Sequence, residues 1–247
     1  MPKKERIKKM FDDIAPEYDA FNHLCSLGID RIWRRRALGE LPSPDSVKGA
    51  AAENAPYRVL DVACGTGDFS MAIAKHLQKK LTDFEVVGAD ISEGMLEVMR
   101  DKVRKAGLSH CVRAVAGDCA ELDFPDASFD AVTVAFGVRN FEDRPKCLKE
   151  ILRVLKPGGR FIMLELGVPS WWPASWLYNI YFKGILPIIG GWMTGNKSAY
   201  KYLTASVLGF PKKKEWLEVL DSEGFLHCSH KALTFGICRL YVAQKGS

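Results

Sequence analysis

From residue 58 onward, short apolar runs alternate with amphipathic stretches, and that alternation restricts the chain to one kind of sheet. Arg58-Val-Leu-Asp-Val-Ala63, Phe84-Glu-Val-Val-Gly-Ala89, 112–116, Phe129-Asp-Ala-Val-Thr-Val-Ala135 and 160–165 read as buried strands. Between them, 68–81, 93–106 and 144–155 carry helical spacing, as in Met95, Leu96, Val98 and Met99. The third helix meets Lys156-Pro-Gly-Gly159, a strong breaker. Strand following helix following strand predicts a doubly wound, mostly parallel α/β sheet. A helix over 215–222 and strand-like runs near 227–234 and 237–243 predict an antiparallel edge. Upstream, Phe11, Ile14, Tyr18 and Phe21 give 1–40 a helical period, and Leu41-Pro-Ser-Pro-Asp45 ends it. Residues 41–56 read as a connection.

The 247 residues suit a single core with an elaboration. An apolar fraction of 47% and a charged fraction of 26% exclude disorder and coiled coil as the main architecture. A net charge of +5 is too mild for a nucleic-acid binder, and no dense basic stripe with interleaved aromatics is present. It suits an anionic cofactor or an approach to anionic lipid. Seven scattered cysteines with no Cys-x-x-Cys pair argue against a disulfide framework or zinc knuckle and for a reducing, cytoplasmic setting. The first residues, Met1-Pro-Lys-Lys-Glu-Arg, show no secretory signal. One segment is uneven. From 168 to 195 only Lys183 is charged, while Trp171, Trp172, Trp176, Tyr178, Tyr181, Phe182 and Trp192 crowd together. Prolines 169, 173 and 187 interrupt it, so a membrane span is rejected. The segment is expected to cover a substrate, to touch a membrane surface, or to serve as core.

The most specific local signal is Val59-Leu-Asp-Val-Ala-Cys-Gly-Thr-Gly-Asp68. An acid inside a strand is followed by Gly65, Thr66 and Gly67 at the strand-to-helix turn, where glycine lets the backbone approach a ligand. Asp90, with Ile91 beside it, ends the next strand, where a carboxylate can accept from both hydroxyls of a ribose. A dinucleotide site would carry a third glycine near 70, where this chain has Ser70. Asp61 would also repel a pyrophosphate while suiting a cationic ligand. S-adenosylmethionine carries a sulfonium and an ammonium and no phosphate. The pattern Asp-x-x-Cys-Gly-Thr-Gly thus resembles the first motif of class I S-adenosylmethionine-dependent methyltransferases, with an NAD(P) site and a plain structural turn as the other readings. The resemblance implies a seven-stranded, Rossmann-like sheet. It also implies that Asp118 holds the adenine amino group and that the Cys119 N–H meets a ring nitrogen; the bland reading has Asp118 capping the following turn.

For the acceptor, the Asn- or Asp-Pro-Pro-Tyr of amino-methylating enzymes is replaced by Ala135-Phe-Gly-Val-Arg-Asn140, and a Pro-Cys nucleophile is missing there. Both facts turn the reading away from nucleic-acid bases. Met10-Phe-Asp-Asp-Ile-Ala-Pro-Glu-Tyr-Asp-Ala-Phe-Asn22, Leu27-Gly-Ile-Asp-Arg-Ile-Trp-Arg34, Phe136-Gly-Val-Arg-Asn140, Arg153-Val-Leu-Lys-Pro-Gly-Gly159, Tyr200-Lys-Tyr-Leu-Thr-Ala-Ser206 and the closing Gly224-Phe follow in one order. Together they resemble the ubiquinone/menaquinone C-methyltransferase family over nearly the whole chain. Phe21, Asp30 and Gly167 depart from residues frequent in that family. Ala135 stands where some members carry Ser, leaving any cofactor contact there to the backbone.

The resemblance implies methyl transfer from S-adenosylmethionine to a ring carbon of a polyprenylated quinol, either 2-demethylmenaquinol or the methoxy-benzoquinol precursor of ubiquinol. Arg139 is expected to stabilise the phenolate and Asn140 to orient a water or a ring oxygen; the competing role for Arg139 is an ion pair with Asp143 or Glu142. Tyr18 is expected beside the cofactor or the quinol, with Asp19 in the same closing region. Asp61 is expected to act through Gly65 toward the cofactor ammonium, and Tyr200 and Tyr202 to line the acceptor pocket. No metal is implied. The chain divides into an N-terminal helical cap (1–56), a cofactor core (57–167), a substrate-covering insertion (168–210) and a C-terminal helix with edge strands (211–247). The insertion also suits a peripheral contact at the inner face of the cytoplasmic membrane or a homodimer interface. A non-catalytic scaffold, a hydride-transferring oxidoreductase and a small-molecule O-methyltransferase are the readings from other classes.

Overall fold

The computed structural model describes residues 3–46, 55–169, 171–180, 184 and 197–246. Seven strands form one sheet: β1 (Tyr57–Val62), β2 (Phe84–Asp90), β3 (Val112–Ala116), β4 (Phe129–Ala135), β5 (Leu155–Leu166), β6 (Leu226–Leu233) and β7 (Cys238–Gln244). They lie in the order β3-β2-β1-β4-β5-β7-β6. The first five run parallel, and β7 runs antiparallel to both β5 and β6. The expected antiparallel edge is therefore refined: the reversed strand lies inside, and β6 is the outer edge.

Of the parallel strands, β1, β2, β4 and β5 are mostly buried because helices cover both faces, while β3 at the edge is largely half-buried or exposed. On one side Leu60, Val132 and Phe161 pack with Leu148 and Ile151 of α6 (Arg144–Val154) and with Trp216 of α9 (Lys213–Ser222). On the other, Val59, Val86 and Ile162 pack with Ile73 of α4 (Asp68–Leu77), Met99 of α5 (Glu93–Lys105) and Trp33 of α3 (Ile29–Leu38). Neighbours Val59 and Leu60 point into opposite cores, as the two-residue period of a strand requires.

The N-terminal region is helical as expected and divides into three helices. It breaks after α1 (Lys3–Ile14) at a 3-10 turn holding Pro16, and again between α2 (Tyr18–Cys25) and α3, where Leu27 and Gly28 have φ of 50° and 74°. Helix α4 stops at Leu77, short of the expected 81. Strand β5 begins five residues before 160. Helix α6 does end ahead of the Pro-Gly-Gly breaker, but the breaker itself becomes a wide bulge. Phe129 pairs with Leu155 and Ala131 with Arg160, so residues 156–159 oppose Asp130 alone. Lys156 folds back there, placing Nζ 2.8 and 2.9 Å from the Asp130 carboxylate oxygens, and both residues are buried.

The insertion contributes α7 (Trp172–Ile180) and α8 (Lys197–Leu208). Tyr181, Phe182 and Trp192 lie outside the described residues, as does 47–54 of the connection. Among the described residues, no helix is long and apolar enough to cross a membrane.

Candidate active site

The strand order reverses direction between β1 and β4, so their carboxyl ends open a crevice, the usual ligand position in such sheets. Two cavities occupy it. One, about 290 Å³, is lined among others by Lys4, Asp90, Ile91, Asp118, Cys119 and Asn140. The other, about 380 Å³, is mostly apolar, with Leu27, Trp33, Leu166, Tyr178, Leu203 and Phe235 in its wall. Tyr18, Ala63, Gly65, Ala135 and Phe136 line both. The cavities thus meet where β1 and β4 end.

The turn after β1 is built for close approach. Gly67 has φ +79°, and a Cβ there would lie 2.4 Å from Met99 Cγ. Gly65 has φ +55°, and its Cβ would point at Tyr18, 3.9 Å from Cε1. Asp90 fixes this turn: one carboxylate oxygen accepts the Gly65 N–H at 2.9 Å and the other the Ser92 N–H at 2.9 Å. A carboxylate has about four lone-pair sites, so acceptor capacity remains toward the cavity.

Asp61 differs from its expected place. Its carboxylate accepts the Ser70 hydroxyl at 2.6 Å and the Thr133 hydroxyl at 2.7 Å, tying β1 to α4 and β4, while the Gly65 N–H belongs to Asp90. Ser70, read from the sequence only as a missing glycine, is thus the group that satisfies a buried acid. Asp61 still reaches the second cavity. Burial pushes its carboxyl up to about 6, against the opposing pull of the two hydroxyls. The folded state therefore holds this proton more tightly than the unfolded chain. Asp61's own contribution to stability should rise as pH falls from about 7 to about 4, opposite to ordinary acid unfolding. Thermal midpoints of wild type and Asp61→Asn across that range should converge toward high pH less than toward low pH; a constant difference would refute the assignment.

Asp118 caps the following turn and also lines the first cavity. Its Oδ1 accepts the Ala120 N–H at 3.0 Å. It also pairs with Lys4, which the sequence analysis did not single out. Burial opposes charge on Asp118, but the Ala120 N–H and the Lys4 ammonium hold its carboxyl below the ordinary value. Cys119 is buried in the core and also lines the first cavity. Thr66 donates to Asp19, which also pairs with Lys102. Asp12 accepts from Ser92 Oγ at 2.6 Å and from the Gly94 N–H at 3.1 Å. The N-terminal helices are therefore fastened across the crevice by Lys4, Asp12 and Asp19. Only distant contacts reveal these roles, so no local sequence signal announces them.

Arg139 sits in a 3-10 turn, Val138–Asn140, and is buried in the wall of the second cavity. Its partner is neither Asp143 nor Glu142. Nη1 donates to Glu165 Oε1 at 2.6 Å and to the Phe136 carbonyl, and its backbone N–H donates to Glu165 Oε2 at 3.1 Å. Asp143 instead caps α6 through the Lys146 N–H, and Glu142 accepts the Lys4 N–H. Among the described residues, the Arg139 Nε is buried with no partner. Tyr18 and Tyr178 share the cavity with it, and burial raises both phenols, with Arg139 only partly offsetting the rise. Tyr202 lies one step back from its expected place: its hydroxyl donates to Asn140 Oδ1 at 3.0 Å, and its neighbour Leu203 faces the cavity. Tyr200 belongs to the same helix, and its side chain lies outside the described residues.

Beside the second cavity, His23, Asp30 and Asp68 bring three ligand atoms within 4.8 Å of one another. Arg34 pairs with both of these carboxylates, so the group is knit together as an ionic cluster between α3 and α4.

Sheet order, glycine turn and paired cavities define the class: a methyltransferase fold of the Rossmann-like kind. A solved S-adenosylmethionine-dependent methyltransferase from Aquifex aeolicus superposes with a TM-score of 0.58 at 18% identity, covering 85% of this chain and 88% of that one. The chain belongs to the ubiE/COQ5 methyltransferase family, whose sequence model matches residues 1–245. It is 44% identical over 243 residues to a demethylmenaquinone methyltransferase of Bacteroides fragilis, covering 98% of this chain and 94% of that protein. It is 43% identical over 244 residues to the ubiquinone/menaquinone biosynthesis C-methyltransferase UbiE of Geobacter sulfurreducens, covering 99% and 90%.

Proposed function

We propose that this chain transfers a methyl group from S-adenosylmethionine to a ring carbon of a polyprenylated quinol, with 2-demethylmenaquinol as the acceptor. The observation that carries this is the junction of a carboxylate-lined cavity with an apolar one that holds a buried guanidinium. The names of the relatives support the choice of acceptor.

The residues present suit this cofactor. Carboxylates at Asp61, Asp90 and Asp118 suit an ammonium, ribose hydroxyls and an exocyclic amine, and would repel a pyrophosphate. Gly65 leaves open the space where a Cβ would meet Tyr18. When bound, S-adenosylmethionine supplies an electrophilic methyl group on a sulfonium. Asp90 would hold the ribose, Asp118 the adenine amino group in place of Lys4, the Cys119 N–H a ring nitrogen, and Asp61 the ammonium side.

In the second cavity Trp33, Leu166, Leu203 and Ile237 would bury the quinol ring and exclude water. A quinol is a carbon nucleophile once a phenolic proton leaves, and Arg139 would favour the phenolate by its charge, the proton passing to water. A guanidinium is too weak an acid to serve as an ordinary base. Tyr18 and Tyr178 stay protonated at neutral pH and donate hydrogen bonds. Asn140, held by Tyr202 in the wall of the first cavity, would orient a ring oxygen where the two cavities meet. Trp172, Trp176 and Ile180 recur every four residues on the exposed side of α7 while Tyr178, on its inner side, lines the cavity. The reading places that outer face against the inner surface of the cytoplasmic membrane, where a prenylated acceptor resides.

Incubation with methyl-labelled S-adenosylmethionine and each reduced precursor, followed by mass spectrometry, tests this. Label on the ring of 2-demethylmenaquinol is expected. Label on neither quinol would refute the reading.

A further inference from the structure

We propose that Glu165 is a positioning residue of the acceptor site, acting on the methyl acceptor through Arg139; this rests on the reading that Arg139 meets an acceptor oxygen. Glu165 stands near the end of β5 with 1% of its surface exposed, and it lines neither cavity. Three donors converge on it. Oε1 accepts Arg139 Nη1 at 2.6 Å and the Leu166 N–H at 2.9 Å, and Oε2 accepts the Arg139 backbone N–H at 3.1 Å. One carboxylate thus grips Arg139 at both its root and its tip. With the tip and the root fixed, and Nη1 also bound to the Phe136 carbonyl, the guanidinium plane has little freedom to turn.

The loop it secures does not hold its shape by propensity. Phe136 has φ +62°, outside the region favoured by residues with a Cβ, and a Cβ on Gly137 would lie 2.6 Å from Ala63 Cβ. The loop's two ends are β4 and the turn carrying Arg139, and Glu165 is the group on β5 that pulls that turn against the sheet. The side-chain bonds to Glu165 and to the Phe136 carbonyl both use Nη1, which leaves Nη2 as the end of the fork to meet another acceptor, while Nε is buried without a partner among the described residues. A buried carboxylate behind a buried guanidinium also keeps the pair neutral, so Arg139 stays in place when the acceptor leaves.

Glu165 already accepts from three donors and is shielded from the cavity, so it neither touches the acceptor nor takes its proton. Its effect on turnover must run through Arg139, and a double-mutant cycle reads this directly. The full chain is prepared as wild type, Glu165→Gln, Arg139→Ala and the double variant. Each is assayed for kcat and KM with reduced 2-demethylmenaquinone, for S-adenosylmethionine affinity and for thermal midpoint. Glu165→Gln is expected to lower kcat about 10–100-fold, the scale of a small misplacement of a reacting group. Cofactor affinity should stay within about twofold, because no Glu165 contact reaches the first cavity. In the Arg139→Ala background the same change should cost less than about twofold in kcat and should raise the thermal midpoint, since it removes an unpaired buried carboxylate. Full kcat in Glu165→Gln, or the same fold loss in both backgrounds, would overturn the proposal alone. Should Glu165→Gln not fold, Glu165→Asp, which keeps the charge and withdraws it by one methylene, is carried through the same cycle with the same expectations for kcat and cofactor affinity and none for a raised thermal midpoint. Wild type that binds S-adenosylmethionine and methylates neither quinol overturns the underlying reading, and the proposal falls with it.

Discussion

Arg139→Ala should bind S-adenosylmethionine nearly as well as wild type and turn over about a hundred- to a thousandfold more slowly. The size follows from what is removed. A preorganised, water-shielded charge beside a developing oxyanion contributes about 3–4 kcal/mol, and each 1.4 kcal/mol is tenfold in rate. The selectivity follows from position. Arg139 lines the apolar cavity, while Asp90 and Asp118 line the other. Arg139→Lys should recover little, because one ammonium cannot reach Glu165, the Phe136 carbonyl and an acceptor together. Calorimetric titration with S-adenosylmethionine beside single-turnover methyl transfer checks this. Cofactor affinity and rate falling together would place Arg139 in the cofactor site instead. Removing Arg139 also leaves the Glu165 carboxylate buried and unpaired, a loss of about 3–5 kcal/mol in stability. Rates are therefore to be compared well below the variant's own thermal midpoint.

The second large effect is at Asp90. Asp90→Ala deletes the acceptor of the Gly65 and Ser92 N–H groups as well as the expected holder of the ribose. Hydrogen bonds to a charged group contribute about 1.5–3 kcal/mol each. Loss of the two ribose contacts should weaken S-adenosylmethionine at least about a hundredfold, with a further share from the released glycine turn. Asp90→Asn keeps one acceptor oxygen and should fall between. Titration of both variants with S-adenosylmethionine and with S-adenosylhomocysteine gives the comparison, and equal affinity in all three proteins would remove Asp90 from the site.

Much of this was readable from residue order because the signals are local. A buried parallel strand announces itself as an apolar run, and five of the seven strands lie in such runs before residue 167. The turn at Gly65 and Gly67 is visible because only glycine tolerates both its φ and its crowding. What escaped is carried by contacts far apart in the chain. Arg139 finds Glu165, 26 residues away, rather than the acids three and four positions along, because a 3-10 turn at the end of β4 aims it back at β5. Ser70 reads as a lost glycine until Asp61, nine residues earlier, is seen against it. The breaker at Pro157 ended a helix as expected, yet continued as strand because a bulge accommodates the excess residues. Lys4 and Asp12 have no signature at all; their partners lie 114 and 80 residues away.

Tyr18 belongs to the walls of both cavities and rests over Gly65. Any displacement of that ring when one chamber fills reshapes the other. Thermodynamic linkage then makes the effect mutual: whatever factor the product nucleoside adds to acceptor affinity, the acceptor returns to the nucleoside. Any such coupling between the two chambers would pass through one aromatic side chain carried by the first helices of the chain.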